Sequence, residues 1–208
     1  MYVPEHFAET DLAALHVFMR EYSFATLVTQ HNGVPFASHL PMFLDAGIGP
    51  YGALLGHMAR GNPQWQALTT GAEALAMFQG PHAYVSPAWY EPNPMVVPTW
   101  NFMAVHAYGP ARILRQDELA RTLHQLVDEH EQAFDPPWKL QLSRSMRDGM
   151  LGGIVGFEIR LGRIEGKFKL SQNRPAVDRP RITDALDRRE DEGSRDIARL
   201  MRAREPGE

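Results

Sequence analysis

The chain has 208 residues, of which 44% are hydrophobic and 22% charged, and its formal net charge at pH 7 is −4. This composition excludes wholesale disorder, and the charge argues against a protein that binds by neutralising many phosphates. Cysteine is absent, which excludes disulfide scaffolds, thiolate metal sites and cysteine nucleophiles. The sequence has neither an apolar run of about 20 residues nor a signal-peptide pattern, so we expect a cytoplasmic protein without a membrane segment.

The first half of the chain reads as one helix followed by strands. Apolar residues at helical spacing predict a helix over residues 10–21. Strands over 24–30 and 34–44 flank His31-Asn32-Gly33, which is a hairpin turn signal. Further strands are predicted over residues 51–57, 74–79, 83–86 and 96–113, the last with a bend near Gly109-Pro110.

The second half adds helices over residues 117–134 and 139–150, and then a strand pair over 154–161 and 163–170 with a tight turn at Gly162. Strands in hairpins with late helices favour a mainly β fold, an antiparallel barrel with peripheral helices. Strict βαβ alternation, a GxGxxG motif and a phosphate-binding GxxxxGK[ST] loop are all missing. A dinucleotide-binding sheet is therefore disfavoured.

The last 35 residues differ in kind from the rest. Residues 174–208 hold 9 Arg and 9 Asp or Glu, with few apolar residues after Leu186. We predict one domain over residues 1–173 and a charged, solvated C-terminal arm over 174–208, with a short helix over 195–204.

Residues 56–65, Gly-His-Met-Ala-Arg-Gly-Asn-Pro-Gln-Trp, are the most informative stretch. A strand is predicted to end here and a short helix to begin at about residue 63. Asn62 is a good helix cap, and the free N–H groups of a helix start beside Arg60 suit a phosphate group. A capped helix with a surface arginine is the alternative interpretation.

Two other strands carry polar groups that suit a ligand. Residues 98–102, Pro-Thr-Trp-Asn-Phe, offer a hydroxyl, an amide and the flat face of Trp100. A buried tryptophan with a satisfied indole N–H is the alternative. In the second strand Pro41 follows His39 and Leu40, and a strand proline indicates an edge, a bulge or a freed backbone group.

Four strand histidines invite comparison with a metal site: His39, His57, His82 and His106. Their spacings match no local metal-binding pattern, so we predict no metal. Lys167 and Lys169 alternate on one strand face in an arginine-dominated chain, which indicates anion contact. A charged edge strand that resists aggregation explains them equally well.

Five blocks in chain order, residues 1–7, 57–65, 84–90, 97–102 and 167–173, together resemble the PaiB-type FMN-binding negative transcriptional regulators. The family usually has Tyr where Phe102 stands. The resemblance implies a split β-barrel related to flavin reductases and pyridoxine-phosphate oxidases. It also implies a homodimer with FMN sites at the subunit interface.

Site residues follow from the resemblance position by position. Arg60 and the backbone from Ala59 to Asn62 would hold the FMN phosphate. The remaining expected contacts are His39, Leu40 and Pro41 beside the isoalloxazine, His57 near the ribityl chain, Thr99, Trp100 and Asn101 approaching the flavin, and Lys169 and Gln172 closing the site.

The function implied is that of an FMN-binding negative transcriptional regulator. A flavin-dependent oxidoreductase, acting on NAD(P)H or resembling pyridoxamine-phosphate oxidase, and a haem-binding split barrel are the alternatives. The linker Asp135-Pro136-Pro137-Trp138 is unlike the turn of a helix-turn-helix motif. Any direct DNA contact would fall to Arg195, Arg199 and Arg202 along one helical face.

Overall fold

A computed structural model describes residues 1–92, 95–140 and 149–204. The helices are α1 (Leu12–Glu21), α2 (Gln64–Leu68), α3 (Gln116–Glu131), α4 (Asp178–Asp187) and α5 (Glu192–Ala203). The strands are β1 (Ala8–Glu9), β2 (Phe24–His31), β3 (Val34–Asp45), β4 (Ala53–Ala59), β5 (Glu73–Val85), β6 (Thr99–Ile113), β7 (Ile154–Arg160) and β8 (Arg163–Lys169). Most of the helix predicted over 139–150 lies outside the described residues; 149–152 are helical.

The eight strands form one antiparallel sheet in the order β1-β8-β6-β5-β2-β3-β4-β7. An additional pairing joins β7 to β6, with Ala111 opposite Ile159. The pairings of β6, β5, β2, β3, β4 and β7 therefore form a closed cycle, from which β8 and β1 extend. This is the predicted antiparallel barrel with flanking helices.

The predicted hairpin between β2 and β3 is confirmed. Its turn residues Asn32 and Gly33 have φ angles of 52° and 78°, the left-handed conformation that a tight hairpin turn requires. Strand β3 then changes partner. Residues 34–41 pair with β2 and residues 42–45 with β4, so Pro41 is the last residue of one ladder and Met42 the first of the next. Pro41 therefore lies at the point where β3 changes its pairing partner.

Two strand predictions need correction. The segments predicted over 74–79 and 83–86 form the single strand β5. Buried positions switch from even numbers up to Gly80 to odd numbers from Ala83, so the Gly80-Pro81 pair changes the inward face without ending the strand. The strands predicted as a closing pair do not form a hairpin in the described pairings: β7 pairs with β4 and β6, and β8 with β1 and β6.

The chain divides into two compact units. The first unit comprises Met1–Asp11, Gln79–Val105 and Glu165–Glu208, and the second comprises Leu12–Phe78 and His106–Ile164. Strands β5 and β6 contribute residues to both.

The core of the second unit is built where β4 and β7 meet α3. Gly56 lets the buried Phe157 ring pack closely on β4, because a Cβ at this position would lie 2.7 Å from that ring. Gly156 has the same role toward the helix, since its Cβ would lie 2.7 Å from Leu119 Cδ1. Leu119 belongs to an apolar cluster with Leu55, Leu114 and Leu151, which holds α3 against this sheet.

A charge network ties the same elements together. Arg112 on β6 donates from Nη2 to Glu158 Oε2 at 2.6 Å and from Nη1 to Glu118 Oε2 at 3.1 Å. Arg160 Nε adds a contact of 2.9 Å to the buried Glu158. The hydrogen bond from Arg112 lowers the pKa of Glu118 to about 2, and these arginines also lower the pKa of Glu158 against the opposing effect of burial.

The first unit contains the chain's C-terminal residues, which are more ordered than predicted. Residues 178–203 form α4 and α5, and Ile182, Leu186 and Ile197 are fully buried. Asp191 caps α5, its carboxylate accepting from the Ser194 N–H at 2.9 Å. The apolar residues of this segment are few, but they lie on the inward faces of two helices that pack together. The segment is therefore a helical pair rather than a solvated arm.

Candidate functional site

Arg60 follows the end of β4 and is held by the segment that leads into β7. Its Nε donates to the Gly152 carbonyl at 2.6 Å and its Nη2 to the Ile154 carbonyl at 2.9 Å. Its backbone N–H donates to the Gly153 carbonyl at 2.9 Å, and its own carbonyl accepts from Trp65 Nε1 at 3.0 Å. The position of the guanidinium is thus fixed by backbone groups.

These contacts leave most of the guanidinium unused. A guanidinium has five N–H donors, and the two side-chain bonds to carbonyls occupy two of them. Within the described ranges no carboxylate pairs with Arg60, which is an exposed residue. An arginine in this arrangement presents an uncompensated positive charge and three donors, which suits a phosphate group.

A cavity of about 360 Å³ adjoins this guanidinium. Its walls include Arg60, Trp65, Leu119, Leu151, Ile154 and Gly156. A partly apolar cavity of this size beside a fixed cation can hold a small molecule.

The prediction that the N–H groups at the start of helix α2 help Arg60 to bind phosphate needs correction. Helix α2 has only five residues, and its Gln64 N–H already donates to Asn62 Oδ1 at 3.0 Å. The Asn62 Nδ2 donates to Ser38 Oγ at 2.8 Å, tying the turn to β3. Positive character at this place therefore comes from Arg60 and not from the helix, and Asn62 supports the turn. Ala59, the last residue of β4, pairs with Ile154.

His57 lies opposite Gly156 in the β4–β7 ladder, and directly opposed residues face the same side of a sheet. The His57 ring is therefore on the face that α3 covers. Its Nδ1 is buried and has no hydrogen-bond partner among the described residues, and burial lowers the pKa of His57 below its ordinary value of 6.5.

His39 is exposed on β3, opposite Thr26 on β2. Its Nδ1 lies 3.0 Å from Thr26 Oγ1, and the Phe24 ring lies 6.4 Å from the imidazole at 24°. Leu40 and Pro41 are half-buried and complete this strand. Arg60, Ala59, Asn62, His57, His39, Leu40 and Pro41 are thus all residues of the second unit.

The other five predicted residues belong to the first unit. The Lys169 ammonium donates to Thr99 Oγ1 and, at 2.7 Å, to the Trp100 carbonyl. Burial, followed by repulsion from Lys167 and Arg174, lowers the pKa of Lys169. Thr99, Trp100 and Lys169 are therefore brought into direct contact.

Asn101 and Gln172 have their polar groups engaged within the protein. Asn101 is fully buried and exchanges side-chain hydrogen bonds with Ser171 at 2.9 and 3.1 Å. Gln172 accepts from the Leu170 N–H at 2.7 Å and donates to the Phe168 carbonyl. These bonds hold the turn after β8, where Ser171 has a φ of 63°.

Sequence reasoning missed the apolar wall of the cavity. Leu119 and Leu151 come from segments more than fifty residues beyond Arg60 in the sequence, and no local pattern joins them. The alternation of His82 and Tyr84 along the sequence could have identified them, because it places both side chains on one face of the strand that precedes the tryptophan strand. Their rings contact Trp100.

The comparisons with solved structures define the class of fold. The chain superposes with a TM-score of 0.61 on an FAD and haem binding protein from Mycobacterium smegmatis, at 16% identity over 78% of this chain and 73% of that one. The flavocytochrome Anf3 from Azotobacter vinelandii gives a TM-score of 0.60, at 14% identity over 80% and 72%. The fold is the antiparallel split β-barrel with flanking helices that was predicted.

Sequence comparison defines the family within that fold. Residues 1–163 match the family described as "Putative FMN-binding domain", and the chain belongs to this family. Protease synthase and sporulation protein PAI 2 from Bacillus subtilis is 40% identical over 97% of this chain and 96% of its own length. A protein of Emericella nidulans, AN0679, is 30% identical over 98% and 97%. The protein is of the PaiB type, and FMN is its cofactor.

The second unit fits the phosphate of this cofactor. It offers a fixed guanidinium with three unused donors and no carboxylate partner among the described residues, beside a partly apolar cavity. None of the described helices is both long and apolar enough to cross a membrane.

Proposed function

We propose that this protein is a cytoplasmic, homodimeric FMN-binding negative regulator of transcription, in which Arg60 binds the FMN phosphate. The observation that carries the proposal is the Arg60 guanidinium, whose charge is unpaired within the described residues while two backbone carbonyls fix its position. A prepositioned arginine loses little side-chain freedom when an anion binds, which favours affinity.

Bound FMN supplies redox chemistry that a chain without cysteine lacks. In the proposed site, Arg60 binds the phosphate, and Asn62 keeps the 60–62 turn in place through its bonds to Ser38 and Gln64. His57 is proposed near the ribityl chain, where burial favours a neutral imidazole and its buried Nδ1 has no hydrogen-bond partner among the described residues. His39, held by Thr26, and the adjoining Leu40 and Pro41 line the isoalloxazine side.

In the first unit, Trp100 and Lys169 are proposed as the direct flavin contacts. Thr99 positions Lys169 by accepting from its ammonium. Asn101 and Gln172 act indirectly, because their polar groups already hold Ser171 and the turn that follows β8. Cofactor sites at the interface of a homodimer remain part of the proposal.

Titration of FMN into the apo-protein, followed by flavin fluorescence, tests the phosphate site. We expect Arg60→Ala to weaken FMN binding by roughly 30-fold, in the range for losing a charge-assisted contact. Riboflavin has no phosphate, so its affinity should be the same in Arg60→Ala and wild type. Arg20→Ala, which removes an exposed arginine of the same unit, is the matched control. Equal FMN affinity in Arg60→Ala and wild type would contradict the proposal.

The regulatory part of the proposal rests on the resemblance to the PaiB-type regulators, and the B. subtilis Protease synthase and sporulation protein PAI 2 is a 40% identical relative. We propose that regulation is indirect, through a metabolite or a partner. In α5, Arg199 pairs with Asp196 at 2.7 Å and Arg202 with Asp187 at 3.0 Å, so these arginines bring little net charge to DNA.

A gel-shift assay tests this point. A salt-sensitive shift that the triple variant Arg195→Ala, Arg199→Ala, Arg202→Ala abolishes would contradict indirect regulation. These substitutions leave the buried face of α5 unchanged, unlike a deletion, which would remove the buried Ile197.

Light scattering should give twice the 23.5 kDa chain mass if the protein is a homodimer.

The two alternative functions have their own readouts. NAD(P)H oxidation faster than that of free FMN would establish an oxidoreductase. A Soret band on haem titration, lost in one histidine variant, would establish a haem protein.

A further inference from the structure

A small cavity lies in the first unit, where the C-terminal helical pair meets the turn after β8. It has a volume of about 20 Å³ and is lined by Leu170, Gln172, Arg179, Met201 and Arg204. A cavity of this size holds one particle about as large as a water molecule. Neither arginine is among the residues proposed to contact FMN. We call this space the two-arginine cavity.

Arg179, in the first turn of α4, brings a positive charge to this cavity without a counter-charge. Its side chain is half-buried, and its Nε is fully buried with no hydrogen-bond partner among the described residues. Within the same residues no carboxylate pairs with its guanidinium. A buried charged donor without an acceptor lowers stability, so an acceptor bound in the cavity would stabilise the folded chain.

Arg204 adds a second positive charge, which Glu9 balances. Its Nη2 donates to Glu9 Oε2 at 2.8 Å, and its guanidinium lies 4.6 Å from the centre of the Phe168 ring. The other oxygen of this carboxylate accepts from the Asp11 N–H at 3.0 Å. Two guanidinium groups and one carboxylate leave a net charge of one, which a single monovalent anion cancels.

The other side chains around the cavity favour an anion over a water molecule. Gln172 Oε1 already accepts from the Leu170 N–H at 2.7 Å. Met201 Sδ, a weak acceptor, lies 3.5 Å from Asn101 Nδ2 and 3.9 Å from Thr183 Oγ1. A water molecule needs acceptors for its two protons, whereas an anion needs only donors. The side-chain groups left free here are guanidinium N–H donors.

We propose that the two-arginine cavity binds one chloride-sized monovalent anion, held by the guanidinium groups of Arg179 and Arg204. A phosphate or carboxylate group needs more room than a single water-sized particle, so the volume selects a monatomic ion. As a common acceptor the anion joins α4, the end of α5 and the turn after β8. The inference does not depend on FMN binding.

Urea unfolding of the full chain at constant ionic strength tests the proposal, with sodium gluconate replaced stepwise by sodium chloride. Gluconate is too large for the cavity. Because an ion that binds only the folded chain stabilises it, we expect the wild-type midpoint to rise with chloride. Arg179→Met removes the charge and keeps an unbranched side chain. Chloride binding, measured from this dependence, should weaken in the variant by roughly tenfold or more.

Arg181→Met is the matched control, because it removes an exposed arginine from the same helix. It should keep the chloride dependence of the wild type. Arg179→Lys retains the charge and should retain part of the dependence. In gluconate alone, Arg179→Met should be at least as stable as the wild type, since the unpaired buried guanidinium is gone.

Two results of these measurements would overturn the proposal. One is a wild-type midpoint that does not change with chloride. The other is an equal response of Arg179→Met and Arg181→Met, because chloride would then act without a defined site.

Diffraction from wild-type crystals grown in sodium bromide keeps the proposal testable if Arg179→Met fails to fold. Bromide has nearly the size of chloride, and its anomalous scattering should give a peak between Arg179 and Arg204. A water molecule at that position, with bromide bound only elsewhere, would also overturn the proposal. The titrations of Arg60→Ala with FMN and riboflavin have their own outcome, so the two proposals fail separately.

Discussion

Arg60 in the second unit and Lys169 in the first unit are two cations that the fold holds in place in different surroundings. Each is a cation that donates to at least one backbone carbonyl and has no carboxylate partner among the described residues. Arg60 adjoins a partly apolar cavity of about 360 Å³, whereas Lys169 lies on a sheet beside an open indole. Carbonyl groups fix a cation in place without cancelling its charge, so both remain available to an anion.

Arg112 shows the contrasting arrangement within the second unit. Its guanidinium is shared between Glu158 and Glu118, and it joins β6, β7 and α3. An arginine whose donors face carboxylates stabilises the fold, and one whose donors face carbonyls can serve a ligand. The predictions below test this difference, beginning with the largest effect.

Glu158→Ala should lower the free energy of unfolding by about 2–4 kcal/mol, because it leaves Arg112 and Arg160 without their buried partner. Urea unfolding measures this loss. Asp117→Ala, which removes an exposed partner of Arg121, should leave the urea unfolding midpoint nearly unchanged, because surface ion pairs contribute little to stability. Equal losses in the two variants would remove the distinction between structural and ligand-binding arginines.

Arg60→Lys should weaken FMN binding by roughly five- to tenfold, less than Arg60→Ala, because a lysine keeps the charge but not the planar fork. Its stability should fall by about 1 kcal/mol at most, since only hydrogen bonds to two carbonyls change. Fluorescence titration and thermal unfolding of the same samples report both values. A large stability loss with unchanged affinity would place Arg60 among the structural arginines.

Acid should remove the contribution of the Arg112–Glu118 pair. The folded-state pKa of Glu118 is about 2 against an ordinary value of 4.5, so its contribution is present above pH 4.5. It is lost as pH falls toward 2. The difference in stability between wild type and Glu118→Gln should shrink over that range, as followed by circular dichroism. A constant difference between the two proteins would contradict this assignment.

The change in folding stability with pH should be smallest for His57, and stability should again fall as pH falls. Burial lowers its pKa below 6.5, so the unfolded chain binds the proton more readily than the folded chain. Stability should decline as pH falls below about 6.5. NMR titration of the imidazole gives the folded-state pKa, and a value above 6.5 would contradict burial as the cause.

Local signals predicted much of this structure from sequence. The hairpin at Asn32-Gly33 and the helix α1 follow from turn residues and from periodicity, which neighbours in sequence determine. Arg60 is predicted as a phosphate-binding residue from the same kind of local signal, and its carbonyl contacts lie far along the chain in residues 152–154. The helix-start explanation for its site was incomplete because α2 is too short and already capped.

Long-range pairing could not be predicted in this way. Strands β7 and β8 adjoin in sequence, and a tight turn between them favours a hairpin, yet both pair with β6. The sparse apolar residues of α4 and α5 predict a solvated segment. They become buried only because the two helices pack against each other, and a sequence pattern does not show that packing. The contact of Lys169 with Trp100 likewise depends on the order of strands in the sheet, which the pattern of a single sequence does not predict.

The change of partner at Pro41 has a mechanical consequence. Because one continuous strand supplies residues 34–41 to one ladder and 42–45 to the next, neither ladder can slip in register without displacing the other. A slip would also turn the side chains of β3 to the opposite face. Strand β3 therefore fixes together the register of His39, on its own first half, and that of Gly56, which lies opposite Met42 on β4.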